Sequence, residues 1–497
     1  MEYLEQIENN RAEMLQTLKE LIAIKSVQEP EVTAAPDEGG APIFMPFGKG
    51  VHGAFSYMLK KAGEEGFDVQ NIDNYGGHIE FGGYTCNDEG EIIATSEEVM
   101  GILGHLDVVP EGGDWDYDPY GGTIADGKIF GRGTADDKGP VIAAFYAMKA
   151  LKDVGIVPEK KVRLILGLDE ETNWKGMEYY FSKCREPDFG FTPDSEFPAI
   201  HGEKGIIVFD IAKKMAKTVG KGLELRTFKG GAAANMVADH ARVVLRAEKV
   251  EDYEPIKKLI STYRSDKCLG ERSAKINCKG VGKSLEITVQ GISSHGARPD
   301  SGINAISTMM EFLGQLVFIN EDINDFIEFY NKHIGFEFNG KSLGCGLSDE
   351  PSGELTLNVG MIDLDSRAVR LTINVRYPVT FNDTIVYEAI MPVMNKYNLG
   401  IIKGKHQEPI YIPSDDPMIV TLMDIYKEHT GDADSKPLVI GGGTYARAAK
   451  NVIAFGPSFP GEREVAHQKN EYIDIENLMT ATKIYADAIF RLTKCEV

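Results

Sequence analysis

The segment Val99–Pro140, VMGILGHLDVVPEGGDWDYDPYGGTIADGKIFGRGTADDKGP, constrains this chain more than any other. Its apolar run Val99–Leu103 is short and unbroken, as in a strand buried on both faces. The run ends in Gly104-His105-Leu106-Asp107. A glycine-rich stretch follows and closes on Gly131-Arg132-Gly133-Thr134-Ala135-Asp136-Asp137-Lys138-Gly139. Val141–Val154 then reads as a helix, and Val162–Leu168 as a second buried strand. Strand, helix, strand in that order implies a right-handed crossover and a parallel sheet. An imidazole and several carboxylates just past a strand, and again at a helix entrance, suit divalent metal ions better than a packed core.

The rest of the chain extends this pattern and then departs from it. Leu4–Ile24 and Val51–Gly63 read as helices on their apolar spacing, with a loop at Pro30–Pro46 between them. After Gly205 the texture becomes α+β. Strands are expected at Ile206–Phe209, Ala241–Ala247, Leu285–Val289 and Val369–Arg376. Helices are expected at Glu254–Tyr263, Ile303–Leu316 and Thr384–Tyr397. From Glu408 the first texture returns: a helix at Met418–His429, buried strands at Leu438–Ile440 and Val452–Phe455, and a closing helix at Ile475–Leu492. The reading is an α/β fold. A domain of residues 1–204 and 407–497, with a mainly parallel sheet flanked by helices, is interrupted by an α+β domain of residues 205–406. A chain of 497 residues is indeed too long for one ordinary core.

A net charge of −23 argues against nucleic-acid or anionic-membrane partners, which favour clustered Lys and Arg. No apolar run reaches the roughly 18–20 residues that span a bilayer. The N-terminal segment lacks the charged-then-apolar order of a signal peptide. Cys86, Cys184, Cys268, Cys278, Cys345 and Cys495 are scattered without a CxxC and read as free thiols of a reducing cytoplasm.

Each candidate site residue has an ordinary reading. His105 and Asp107, two apart at a strand end, leave on the same side; they also suit a simple turn hydrogen bond. Asp136 and Asp137 suit helix capping, although the framing glycines exceed what a cap requires. Asp169-Glu170-Glu171 follows the strand Val162–Leu168, where three carboxylates repel unless cations neutralise them. Asp194 suits a turn and His467 a surface position. The conjunction is the argument: four of the five candidate ligands follow buried strands or open a helix, where the crevice of an open α/β sheet lies. Imidazole with carboxylate suits zinc, manganese or cobalt.

At this point the sequence resembles the M20 metallopeptidases, and within them the bacterial dipeptidases of the Xaa-His or carnosinase-like type. The matching motifs are Gly104-His105-Leu106-Asp107-Val108-Val109-Pro110, Gly131–Gly139, Asp169-Glu170-Glu171 and Pro193-Asp194-Ser195-Glu196-Phe197-Pro198. Gly291-Ile292-Ser293-Ser294-His295-Gly296 and Gly441-Gly442-Gly443-Thr444-Tyr445-Ala446-Arg447 complete them. The resemblance implies a cofactor of two divalent metal ions per chain, zinc first, with manganese or cobalt as alternatives. It implies His105, Asp136, Glu171, Asp194 and His467 as ligands, with Asp136 bridging and the peptide after it cis. Asp107 would orient His105, and Glu170 would be the general base.

The same resemblance makes His295 the lid histidine that meets the developing oxyanion. Asn235, Arg376, Gly442, Gly443 and Thr444 become substrate contacts. A long insertion implies a lid that mimics a dimer within one chain, hence a monomer. Asp rather than Glu at position 194 falls on the dipeptidase side. The expected function is hydrolysis of dipeptides with a free N-terminus. The rivals are an amino-acid deacylase or desuccinylase of the same family, and a non-catalytic metal- or ligand-binding protein.

Overall fold

A computed structural model of the chain describes residues 1–34, 42–87, 91–216, 219–268, 270 and 272–494. Cys495 and the centre of the Pro30–Pro46 loop fall outside the described residues. The five described cysteines Cys86, Cys184, Cys268, Cys278 and Cys345 are free thiols. No described helix is long and apolar enough to cross a membrane. The chain forms two compact units. The first comprises Met1–His201, Ile412–Leu438 and Gly443–Val497; the second comprises Gly202–Tyr411 and Val439–Gly442.

The first unit is built on a mixed sheet. Val452–Ala454, Phe189–Thr192, Val99–His105 and Lys161–Gly167 lie side by side, each parallel to its neighbour. Every residue of Val99–His105 is buried, as its unbroken apolar run requires. This corrects the sequence reading of a mainly parallel sheet: the sheet is mixed, with antiparallel pairs at both margins. Gly76–Gly82 joins Lys161–Gly167 antiparallel, and Asp68–Ile72 pairs antiparallel with Gly76–Gly82. The hairpin has a local cause: Asp73 and Asn74 both have positive φ, which turns Asp68–Ile72 straight back into Gly76–Gly82. At the opposite margin Ile200 pairs antiparallel with Ala454. Two further departures are small. Val32–Ala34 and Ile43–Met45, inside the expected Pro30–Pro46 loop, pair as short strands. Leu438–Ile440 is half-buried rather than buried.

Helices Glu2–Ile22, Lys138–Asp153 and Ile475–Leu492 pack on this sheet in one apolar core. A buried polar knot ties the ends of the chain together. Asp487, 1% exposed, accepts a hydrogen bond from the Tyr3 hydroxyl and another from His429 Nε2 at 2.6 Å. Burial alone would raise the Asp487 carboxyl. Its hydrogen bonds, with the charges of His429 and Arg491, outweigh that and hold it below the usual range. Such a group contributes stability above the unfolded carboxylate pKa of about 4, lost as pH falls through its folded value. Breaking a buried pair costs about 3–5 kcal/mol. Asp487→Asn is therefore expected to unfold at lower urea than the parent at neutral pH. The gap should close as the solution is acidified, and a gap of constant size would contradict the assignment.

The second unit is an eight-stranded antiparallel sheet. Its order is Lys275–Val281, Ser284–Gln290, His240–Arg246, Glu224–Gly230, Thr356–Leu364, Ala368–Tyr377, Gly205–Lys214 and Gly400–Gln407. Helices Glu254–Lys267, Ala305–Leu313, Glu321–His333 and Asp383–Lys396 supply the rest of its separate core.

Candidate metal centre

The parallel strands of the first unit end at one edge, so the loops that trail them share a crevice. His105 is the last residue of its strand and stands in register with Gly167. Asp169-Glu170-Glu171 follows Gly167, Asp194 follows Phe189–Thr192, and His467 lies downstream of Val452–Ala454. Asp136 arrives from the loop before the helix Lys138–Asp153, and the Asp136–Asp137 peptide is cis.

These five side chains converge. Asp136 lies between two imidazoles: Oδ1 is 3.0 Å from His105 Nε2, and Oδ2 is 3.0 Å from His467 Nε2. His467 Nε2 is also 2.9 Å from Glu171 Oε1, and His105 Nε2 is 4.0 Å from Asp194 Oδ2. One donor atom from each of His105, Asp136 and Glu171 lies within 4.8 Å of the others, and so does one from each of His105, Glu170 and Asp194. Bonds of about 2.1 Å to a tetrahedral zinc place its donors about 3.4 Å apart. The observed separations bracket that spacing, and the nitrogen and oxygen donors are those a borderline divalent ion takes. The residues fit the metal.

The electrostatics show what such a set does without cations. Burial would lower the His105 pKa, but hydrogen bonds to Asp107 and Asp136 raise it well above its ordinary value. Hydrogen bonds to Asp136 and Glu171 push His467 up to about 10. Burial opposes ionisation of Asp136, yet the two imidazoles hold its carboxyl below the usual range. Asp194 is driven the other way, by burial and by the charges of Asp136 and Asp137.

The surrounding contacts fix the site. His105 Nδ1 lies 2.9 Å from the Asp107 carbonyl oxygen and 3.3 Å from its Oδ1. The Asp107 carboxylate also accepts the N–H groups of Glu170 at 3.2 Å and Glu171 at 3.1 Å. Asp107 thus connects the first strand's histidine to the second strand's acids. Asp137 occupies the helix N-cap position but makes no side-chain cap hydrogen bond. Its Oδ2 instead accepts the His105 N–H at 3.0 Å. Burial pushes the Glu170 carboxyl up to about 7, with Glu171, Asp136 and Asp107 adding to the rise and His105 opposing it.

The remaining candidates divide between the units. In the second, Met236 and His295 form an antiparallel bridge, and the Gly296 N–H donates to the Asn235 carbonyl at 2.7 Å. The backbones of the exposed Asn235 and His295 are thereby held side by side. Arg376 is buried. Its Nε donates to Asn374 Oδ1 at 2.8 Å and its Nη1 to the Gly441 carbonyl at 2.9 Å. Gly442 belongs to this unit, while Gly443 and Thr444 belong to the first. The Thr444 hydroxyl accepts the Ala446 N–H at 3.2 Å, capping the short turn Tyr445–Ala448.

Three residues of the first unit escape the sequence reading. The Trp174 indole donates to the Glu170 carbonyl at 2.6 Å. The buried Tyr445 ring meets the His105 ring edge-on at 6.0 Å. Its hydroxyl sits where a Cβ on Gly167 would come within 1.9 Å, so the strand end must be glycine. Glu471 is the third. The glycines beside the motifs were the available signal for Tyr445; nothing comparable marks the other two.

A family model, Peptidase family M20/M25/M40, matches residues 101–491. The chain belongs to that family and is a peptidase, as the motifs implied. It is 36% identical over 484 residues to "Putative dipeptidase" of Staphylococcus epidermidis, covering 97% of both chains. It is also 36% identical to "Putative dipeptidase YtjP" of Bacillus subtilis, covering 97% of this chain and 98% of the relative. Among solved structures, aminoacylhistidine dipeptidase from Vibrio alginolyticus superposes with a TM-score of 0.54 at 16% identity, over 96% of each chain. Human carnosine dipeptidase 1 gives 0.51 at 17% identity, over 99% of this chain and 98% of that one. At these identities the two structures speak for the fold.

Proposed function

We propose that this chain is a metal-dependent dipeptidase that hydrolyses dipeptides carrying a free N-terminus. The observation that carries the reading is Asp136 held between His105 and His467, with Glu171 on the same imidazole and Glu170 beside the set. The dipeptidase names of relatives that match nearly end to end support the substrate class. His105, Asp136, Glu171, Asp194 and His467 would hold two divalent ions. Bound there, the ions would polarise the scissile carbonyl and bring the pKa of water near neutrality.

The chain's own groups then carry the proton. Glu170 accepts a proton from the attacking water as the new C–O bond forms at the carbonyl carbon. It returns that proton to the departing amine nitrogen as the C–N bond breaks. His295 donates to the developing oxyanion. Arg376, Asn235 and the N–H groups of Gly442, Gly443 and Thr444 are assigned to the rest of the dipeptide, its carboxylate foremost. The enzyme proposed is a monomer.

The test is metal analysis of the purified protein, together with turnover of free-amine dipeptides and N-acyl amino acids in zinc, manganese and cobalt. The expected result is about two divalent ions per chain and turnover confined to the dipeptides. Turnover of the N-acyl compounds alone would establish the deacylase instead. Bound metal with no turnover of either would establish a binding protein.

A further inference from the structure

The buried carboxylate of Glu471 is not explained by the ligand set, yet it holds the loop that carries Asp136. Glu471 is fully buried. Its Oε1 accepts the backbone N–H groups of Gly133 at 3.0 Å, Ala135 at 2.9 Å and Asp136 at 3.2 Å. Its Oε2 receives the Arg132 guanidinium, itself 1% exposed. The Glu471 carbonyl accepts the Gly131 N–H at 2.9 Å. The loop 131–136 is therefore wrapped around one side chain. Gly133 has φ +92, the left-handed conformation that lets successive N–H groups point inward at an anion.

What this carboxylate holds is decisive. Asp136, whose N–H it accepts, is the residue between His105 and His467. His467 lies four positions before Glu471 on the same loop. The adjacent Asn470 pins that loop from outside: its Nδ2 donates to Asp116 Oδ2 at 2.7 Å, and its Oδ1 accepts the Asp116 N–H at 2.8 Å. Asn470 and Glu471 thus fix one loop against two others. Replacing a buried ion pair by apolar groups of like volume is often neutral for stability, so the pair's presence is not accounted for by folding alone. A leucine in place of Glu471 would also leave three inward N–H groups without an acceptor.

We infer that Glu471 is a positioning residue that sets the spacing between Asp136 and His467 by clamping the Asp136 loop to the His467 loop. This rests on the metal-centre reading above. Groups that orient metal ligands typically change metal affinity or activity about 10–100-fold when removed. Two variants separate its contributions: Glu471→Asp keeps the charge and withdraws the oxygens by one methylene, while Glu471→Gln keeps the length and removes the charge.

The measurement is zinc affinity of the full-length protein by competition with a chromophoric chelator, alongside thermal unfolding of the metal-free form. Both variants are expected to bind zinc about 10–100-fold more weakly. At saturating zinc, kcat for a dipeptide should fall while KM holds. Wild-type zinc affinity with only a lowered melting temperature would reduce Glu471 to a core residue and overturn the inference. Should both variants fail to fold, Arg132→Lys, which preserves the charge pair but not the planar fork, decides. Weakened zinc binding with a cooperative melt supports the clamp, and wild-type affinity overturns it. Asp136→Asn, run in parallel, isolates the underlying reading. If it keeps full zinc affinity, the metal centre itself is wrong. If it loses zinc while the Glu471 variants do not, only the clamp is wrong.

Discussion

Glu170→Gln is expected to fold, to bind metal as the parent does, and to lose about 10²–10⁴-fold in kcat. The amide keeps the side chain's shape and its place beside His105 and Asp194, but accepts no proton from water at neutral pH. KM should change little, because Glu170 is assigned to the proton and not to the substrate. The pH profile supplies a second readout. A base must be unprotonated, so the parent's kcat/KM should fall as pH drops through the Glu170 pKa. Burial sets that value near 7 in the metal-free protein. Bound cations a few ångströms away favour the carboxylate and move the limb to lower pH. Residual activity of Glu170→Gln should lack this limb. A variant with parental kcat would remove Glu170 from the chemistry, and one without metal would make it a ligand.

The parts of this site that were legible in the sequence share a physical signature. His105, Glu170, Glu171 and His467 each come after an apolar run read as a buried strand, and a charged or polar residue placed there has no packing reason to be so; Asp194 read only as a turn residue. Asp136 was marked by glycines a cap does not need, and its neighbour Asp137 indeed makes no side-chain cap bond. Glu471 was illegible for the opposite reason. It sits between Asn470 and Tyr472 with no periodicity around it, and its meaning comes from N–H groups more than 330 residues away in sequence.

Among the elements, two misses were readable in principle. Ile323, Phe326, Ile327 and Tyr330 line the buried side of Glu321–His333 at helical spacing. Asp73-Asn74 has residue types tolerant of the positive φ that makes a hairpin antiparallel. The strand Gly400–Gln407 was not readable. It is mostly exposed at a sheet edge, where Lys403 and Lys405 discourage pairing with another chain and erase the apolar alternation.

Asp136→Ala is expected to have the largest effect, because it removes a carboxylate that lies 3.0 Å from each of two imidazoles. Its zinc affinity should fall by more than the roughly 100-fold that losing a partner behind a ligand costs, and dipeptide turnover should vanish at ordinary metal concentrations. The metal-free protein gives an independent check. There, the hydrogen bond to Asp136 is the largest cause holding the His467 pKa near 10, with Glu171 the other hydrogen-bonding partner. Removing Asp136 leaves Glu171 alone, so the His467 imidazole should release its proton at lower pH, visible as a shifted NMR titration. His105 should move the same way, since it loses one of the two carboxylates that raise its pKa through hydrogen bonds. If both imidazoles titrate as in the parent, Asp136 does not stand between them. If both shift while zinc stays bound with parental affinity, Asp136 links the histidines without holding metal, and the bridging role fails on its own.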